Sequence, residues 1–194
     1  KSIQGVIWYP PLNINLFITQ SHLSDVINLY KQRLNISVEY ICNSGVDENI
    51  FFPKIPYTER QQIIGYRSGH DQLYFGNQER ENLYKFLKKY SLINKNYNFD
   101  VSINNKDRFS YTEWADFINR CKCMFAPNTG FDYFFLNDDL RNKVNQSKLK
   151  DFNEVFKRFF LNVKDGTKLK CVTGKTIEPA ACKTPLIQVE GDYD

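Results

Sequence analysis

Asn43-Ser44-Gly45-Val46-Asp47-Glu48-Asn49-Ile50-Phe51-Phe52-Pro53 is the stretch on which the reading of this chain turns. It has the form N-x-G-V-D-x-x-x-F-x-P and follows a short apolar run at residues 38–42. Its counterpart lies far downstream, in Lys175-Thr176-Ile177-Glu178-Pro179-Ala180-Ala181-Cys182-Lys183-Thr184-Pro185-Leu186-Ile187, a carboxylate on a small-residue helix that runs into another apolar segment. Small residues after Glu178 let a helix lie close against a sheet, and Gly174 before it suits a tight entry turn. A helix N-terminus offers free N–H groups and positive potential to a diphosphate, and Lys175 adds a cation at the same place. A carboxylate one turn in can accept both hydroxyls of a ribose. By themselves these residues also fit a helix-start Glu favoured only by the helix dipole.

Between the two stretches, short apolar runs at 16–19, 38–42, 72–76, 122–126 and 186–189 alternate with helical stripes. The stripes are Leu23, Val26, Ile27, Tyr30 and Leu34, with Ser21 placed to cap them; Leu83, Phe86, Leu87 and Tyr90; Trp114, Phe117, Ile118 and Cys121; and Phe152, Val155, Phe156, Phe159 and Val163. Ser110-x-x-Glu113 before the third is a capping box. All four stripes are read as core. Runs alternating with amphipathic helices predict βαβ units and a parallel sheet with helices on both faces, an α/β chain of Rossmann-like form. The three runs at 72–76, 122–126 and 186–189 are expected to be parallel strands of one sheet. Residues 128–170 fit less well: a Phe- and Asp-rich loop and a long basic helical segment stand where a short crossover is expected, and are read as an insertion over the ligand face.

Composition narrows the function classes. The 194 residues are 42% hydrophobic and 25% charged, ordinary for a globular chain, and are long enough to bury a core. A net charge of +4 suits an anionic ligand in a local pocket better than a polynucleotide track. No stretch approaches the roughly 18 apolar residues of a membrane helix, and no secretory signal is visible. Cys42, Cys121, Cys123 and Cys182 adjoin apolar runs. Together with Cys171 they are read as free thiols of a reducing, cytoplasmic compartment. Cys121-x-Cys123 lacks a second Cys/His pair, and Asp192-x-Asp194 beside Gly191 is read as a turn, so no metal site is expected.

The two motifs, in this order and spacing, resemble those of retaining glycosyltransferases of the GT-B fold, group 1, and more narrowly the CgeB-like branch. The resemblance covers most of residues 16–190, with 128–170 unmatched. It implies that residues 1–53 are the tail of an acceptor-side domain and the interdomain connection. Residues 54–194 are then a Rossmann-like nucleotide-sugar donor domain, incomplete at its C-terminus. About forty residues upstream of the junction are too few for an acceptor domain, which needs on the order of 100 to 200, so the chain is expected to be partial. The implied reaction is transfer of a sugar from a nucleoside-diphosphate sugar to the hydroxyl of a glycan or protein acceptor, with retention, with no metal and no cofactor beyond the donor.

Residue by residue, the resemblance gives Glu178 the ribose and Lys175, with Thr176 beside it, the basic position three residues earlier. Gly76-Asn77-Gln78-Glu79-Arg80 matches the branch's pattern of apolar run, Gly, polar loop and Arg. There Gly76 and Asn77 would let the backbone approach a phosphate that Arg80 grips; an ordinary turn with a solvated Arg fits equally. Asn128-Thr129-Gly130, after the run at 122–126, is a candidate donor-lining loop. Lys170 stands where many retaining members carry a second Glu, so no catalytic residue is assigned, and the acceptor-side base is expected on the missing half. Two alternatives stay open. One is a non-catalytic module that kept the fold. The other is nucleic-acid binding by the lysines of residues 143–170, although their interspersed acids favour a solvated face.

Overall fold

The computed structural model describes residues 2–3, 6–7, 15–19, 24–41, 45–127, 129–135, 138–163, 167–171 and 174–190. At its centre four strands run parallel: β5 (Ile63–Arg67), β6 (Asn98–Ser102), β7 (Cys123–Ala126) and β10 (Leu186–Gln188), in the spatial order β10-β7-β5-β6. The helices between them are α2 (Glu79–Ile93), α3 (Tyr111–Arg120) and α6 (Gly174–Ala181). Alternation along the strands divides the core into two faces. Ile63 and Met124 pack with Phe117, Ile118 and Cys182 under α3 and α6, whereas Tyr66 and Val101 pack with Leu83 and Leu87 of α2. Gly65 faces α3, where a Cβ would lie 2.5 Å from the Met124 sulfur and 2.6 Å from that of Cys121, so only glycine lets α3 come this close. On the opposite face α2 leaves an apolar groove lined by Ile64, Phe86, Tyr90, Phe125 and Ile187.

The expected parallel strands at 122–126 and 186–189 are found, but the run at 72–76 is not a strand. Leu73–Phe75 is a 3₁₀ turn closed by Gly76 at φ 75°. The strand beside β7 is β5 instead, read past because Gly65 interrupts its apolar pattern. Leu73 and Tyr74 pack outward onto Val144, Val155 and Phe160.

Those residues belong to the 128–170 region, which holds β8 (Thr129–Phe134), α4 (Asp139–Ser147), α5 (Phe152–Phe159) and β9 (Thr167–Cys171). The long basic segment is thus two helices, divided at Lys148 in the left-handed region (φ 56°). β8 and β9 pair antiparallel. Gly130 is obligatory there, since a Cβ would fall on the Leu169 carbonyl.

Before the sheet come a short antiparallel pair, β1 (Ser2–Ile3) and β2 (Val6–Ile7), and a parallel strand–helix–strand of β3 (Leu16–Thr19), α1 (Ser24–Leu34) and β4 (Ser37–Tyr40). Ser21 and Leu23 lie outside the described residues. The described part of the motif at 43–53 is neither helix nor strand, and it packs on the sheet domain. Phe51 is buried against Tyr111 and the α3 core. The buried Asn119 amide accepts from the Lys54 N–H and donates to the Phe52 carbonyl. Arg60, buried, donates to the Cys182 carbonyl at the C-terminal end of α6, where the helix dipole favours a cation, and to Thr184. Among the described residues no helix is long and apolar enough to cross a membrane.

Candidate functional site

In the strand order β10-β7-β5-β6, the direction of growth reverses between β5 and β7. In open parallel sheets a crevice forms at such a point, outside the carboxyl ends of the strands, because the loops there diverge to opposite faces. A cavity of about 510 Å³ occupies this place, with Arg67 and Ser68 from the end of β5, Ala126 and Pro127 from the end of β7, and Thr129 from the start of β8. Arg80 of α2, Arg108 of the loop after β6, Tyr111 and Trp114 of α3, and Lys175 and Glu178 of α6 complete its walls.

Each wall has an identifiable prop. α3 begins at a capping box in which Glu113 accepts from the Ser110 N–H at 2.8 Å and its hydroxyl at 2.6 Å, and these bonds hold the Glu113 pKa below the ordinary value. That start aims Trp114 at α6, and its indole N–H donates to Glu178 Oε2 at 2.6 Å. Lys175 passes over the Trp114 ring and donates to the Arg67 carbonyl at 2.9 Å. Although Lys175 as a residue is exposed, its ammonium is crowded against the cavity wall. Desolvation first, then Arg80 and Arg108, lower its pKa, and Glu178 opposes them. Arg67 is fixed by Asp100 at 2.5 Å and stacks on Phe109 and Phe117. Arg80 is steadied by Asp71, 3.5 Å away, whose buried carboxylate also accepts from the N–H groups of Arg80 and Glu81 at the start of α2. Burial raises the Asp71 pKa, against the pull of Arg80 and those two bonds.

Of the residues expected to hold a donor, Glu178, Lys175, Arg80 and Thr129 therefore share one cavity. Four others do not line it. Gly76 faces the Tyr133 ring, which a Cβ would strike at 2.4 Å. Asn77 is buried and donates to the Gly130 carbonyl. Gly130 itself is taken up by the approach of β9. Thr176 turns toward Gln188 of β10, its hydroxyl 3.2 Å from the side-chain amide oxygen. Asn128 lies outside the described residues, as do Asp192 and Asp194, and no cluster of potential metal ligands occurs among the described residues. Arg67, Arg108, Tyr111 and Trp114 were not foreseen. Their signal is positional: with 63–67 as the strand, Arg67 stands at a strand end, and Trp114 is the residue one turn into a capped helix.

No family model, curated protein or solved structure matches the chain.

Proposed function

We propose that the described α/β unit is the Rossmann-like donor-binding half of a retaining GT-B glycosyltransferase, and that the cavity holds the diphosphate and ribose of a nucleoside-diphosphate sugar. The observation that carries this reading is the meeting of Glu178 and Lys175 of α6 with Arg80 of α2, about a hundred residues away, in one cavity at the carboxyl ends of β5 and β7. Arg80 and Lys175 would take the phosphate oxygens, and their positive charge would stabilise the diphosphate as it departs to an acceptor hydroxyl. Glu178, with Oε2 held by Trp114, would turn its remaining acceptor capacity to the ribose hydroxyls.

The test is nucleotide binding by the full chain, followed by thermal stabilisation across UDP, GDP and ADP sugars, because a ligand of the folded state raises its stability. With whichever nucleotide binds, Glu178→Ala is expected to weaken affinity by about 1–3 kcal/mol, the range for hydrogen bonds to a charged group. It also strands the Trp114 N–H and should lower stability by about 1 kcal/mol. Glu178→Gln keeps an acceptor for Trp114 and should retain native stability and part of the binding. Unchanged affinity in Glu178→Ala sinks the donor reading.

Non-catalytic binding is the second reading, and Lys170 favours it. It fills the place of the second Glu and is committed to Asp132 and Glu79. Nucleotide binding without sugar transfer or hydrolysis in the full-length protein would decide for it.

A further inference from the structure

We propose that the ligand of this cavity carries a third oxyanion beyond a diphosphate, and that Arg108 is the residue that selects it. The inference rests on the donor-site reading above. Four cations line the cavity, Arg67, Arg80, Arg108 and Lys175, against two carboxylates, Asp107 and Glu178. Most of these groups are already committed. Arg67 spends both terminal nitrogens on Asp100 and on the Tyr66 and Asp100 carbonyls. Arg80 faces Asp71. Glu178 is engaged by the Trp114 indole, and Asp107 by the Ser102 hydroxyl at 2.6 Å. Arg108, an exposed residue, lines the cavity with no ion-pair or hydrogen-bond partner for its side chain among the described residues.

Arg80 and Arg108 both lie within electrostatic reach of Lys175, and after desolvation they are what lowers its pKa. Asp71 and Glu178 offset part of this repulsion, and an anion seated among the three cations would relieve the rest. A diphosphate bridged by Arg80 of α2 and Lys175 of α6 leaves the third unused. Arg108 reaches the cavity from a different element, the loop after β6. It does so over Gly69, where even a Cβ would come within 3.3 Å of its guanidinium. A planar guanidinium offers paired donors that match the two oxygens of a carboxylate or a phosphoryl group. The third group is therefore an oxyanion of either kind: a further phosphoryl, or a carboxylate on the transferred sugar.

Calorimetric titration of the full chain with base-free probes separates the possibilities. Tripolyphosphate against pyrophosphate reports a third phosphoryl, and glucuronic acid 1-phosphate against glucose 1-phosphate reports a sugar carboxylate. At least one ratio is expected to be about tenfold in favour of the more anionic probe, the effect of one charged hydrogen-bonded contact. Arg108→Gln should bring that ratio below about twofold while leaving the less anionic probe within about twofold of wild type, and Arg108→Lys should restore it in part. Both ratios near one in wild type, or a preference that survives Arg108→Gln, overturns the assignment. Pyrophosphate binding with no such preference removes only the role of Arg108. Failure of pyrophosphate and tripolyphosphate to bind removes this inference, and failure of the nucleotides as well removes the donor reading with it.

Discussion

Lys170 shows how one side chain can be diverted from chemistry to architecture. It is 4% exposed, with its ammonium 2.6 Å from Asp132 on β8 and 3.0 Å from Glu79 at the start of α2. A buried cation held by two carboxylates from two elements ties the β8–β9 pair to the sheet domain. Removing it leaves those carboxylates partly buried and facing each other, which is far worse than never having had the group. Lys170→Met is expected to lower stability by about 3 kcal/mol, read as a drop in the urea midpoint at constant slope. Adding Glu79→Gln and Asp132→Asn should recover most of it; no recovery would mean that packing of the lysine stem, not charge, is what matters. Nothing in the sequence marks Lys170 as a buried, paired cation, because both partners are distant along the chain. Glu178 was legible for the opposite reason: its neighbours in sequence, Lys175 and the small residues after Pro179, carry the signal themselves. That Trp114 would clasp it was not, since the bond spans 64 residues.

Elements were legible where their periodicity was strong and local. α1, α2, α3 and α5 lie where their apolar stripes place them, and the capping box of α3 forms as its spelling requires. β5 was missed because Gly65 breaks its apolar run, although that glycine is what α3 packs against. β6 was missed because Asn98, Asp100 and Ser102 alternate with Phe99 and Val101, as suits an edge strand that buries its apolar side under α2. The run at 72–76 misled because an apolar stretch can equally well be a turn buried by a neighbouring cluster. For α3 the consequence is testable. Ser110→Ala removes the side-chain cap and should lower stability by about 1 kcal/mol. Because α3 carries Trp114 and Tyr111, it should also weaken the proposed nucleotide binding more than a surface change of equal stability cost. The pH sign follows from Glu113, whose pKa is depressed in the fold. The stabilisation is fully present above the ordinary value of 4.5 and is lost as pH falls through the depressed one. Glu113→Gln should flatten that acid limb in thermal melts at pH 3 to 6; an unchanged limb would place the acid sensitivity elsewhere.

At the scale of the molecule, the parallel α/β plan was legible and the way its parts join was not. The alternation of apolar runs and amphipathic helices signals parallel strands with crossover helices, whereas the order β10-β7-β5-β6, and with it the cavity at the reversal, could not be read because β5 and β6 were themselves missed. The docking of the strand–helix–strand unit β3–α1–β4 could not be read, because it depends on an aromatic contact with a region that matched no pattern. Val26, Tyr30 and Val38 of that unit close over Phe134 of β8, flanked by Phe131 and Leu169, with the Tyr30 and Phe134 rings 6.2 Å apart and edge-on. Among the described residues no strand of the unit pairs with the four-stranded sheet, and side-chain packing on the β8–β9 pair joins the two. Phe134→Ala should then cost about 3–4 kcal/mol at that junction, as for other buried Phe truncations, and the loss should be local. Amide hydrogen exchange is expected to accelerate in Ser24–Leu34 and Ser37–Tyr40 while the amides of Ile63–Arg67 and Cys123–Ala126 keep their protection, because Phe134 belongs to the cluster around α1 and not to the two clusters that flank the sheet. The proposed nucleotide binding should persist in the same variant, since every cavity wall except Thr129 lies outside the β8–β9 pair. Equal acceleration in α1 and β5 would show instead that the two parts unfold as one unit, with Phe134 a keystone of the whole core.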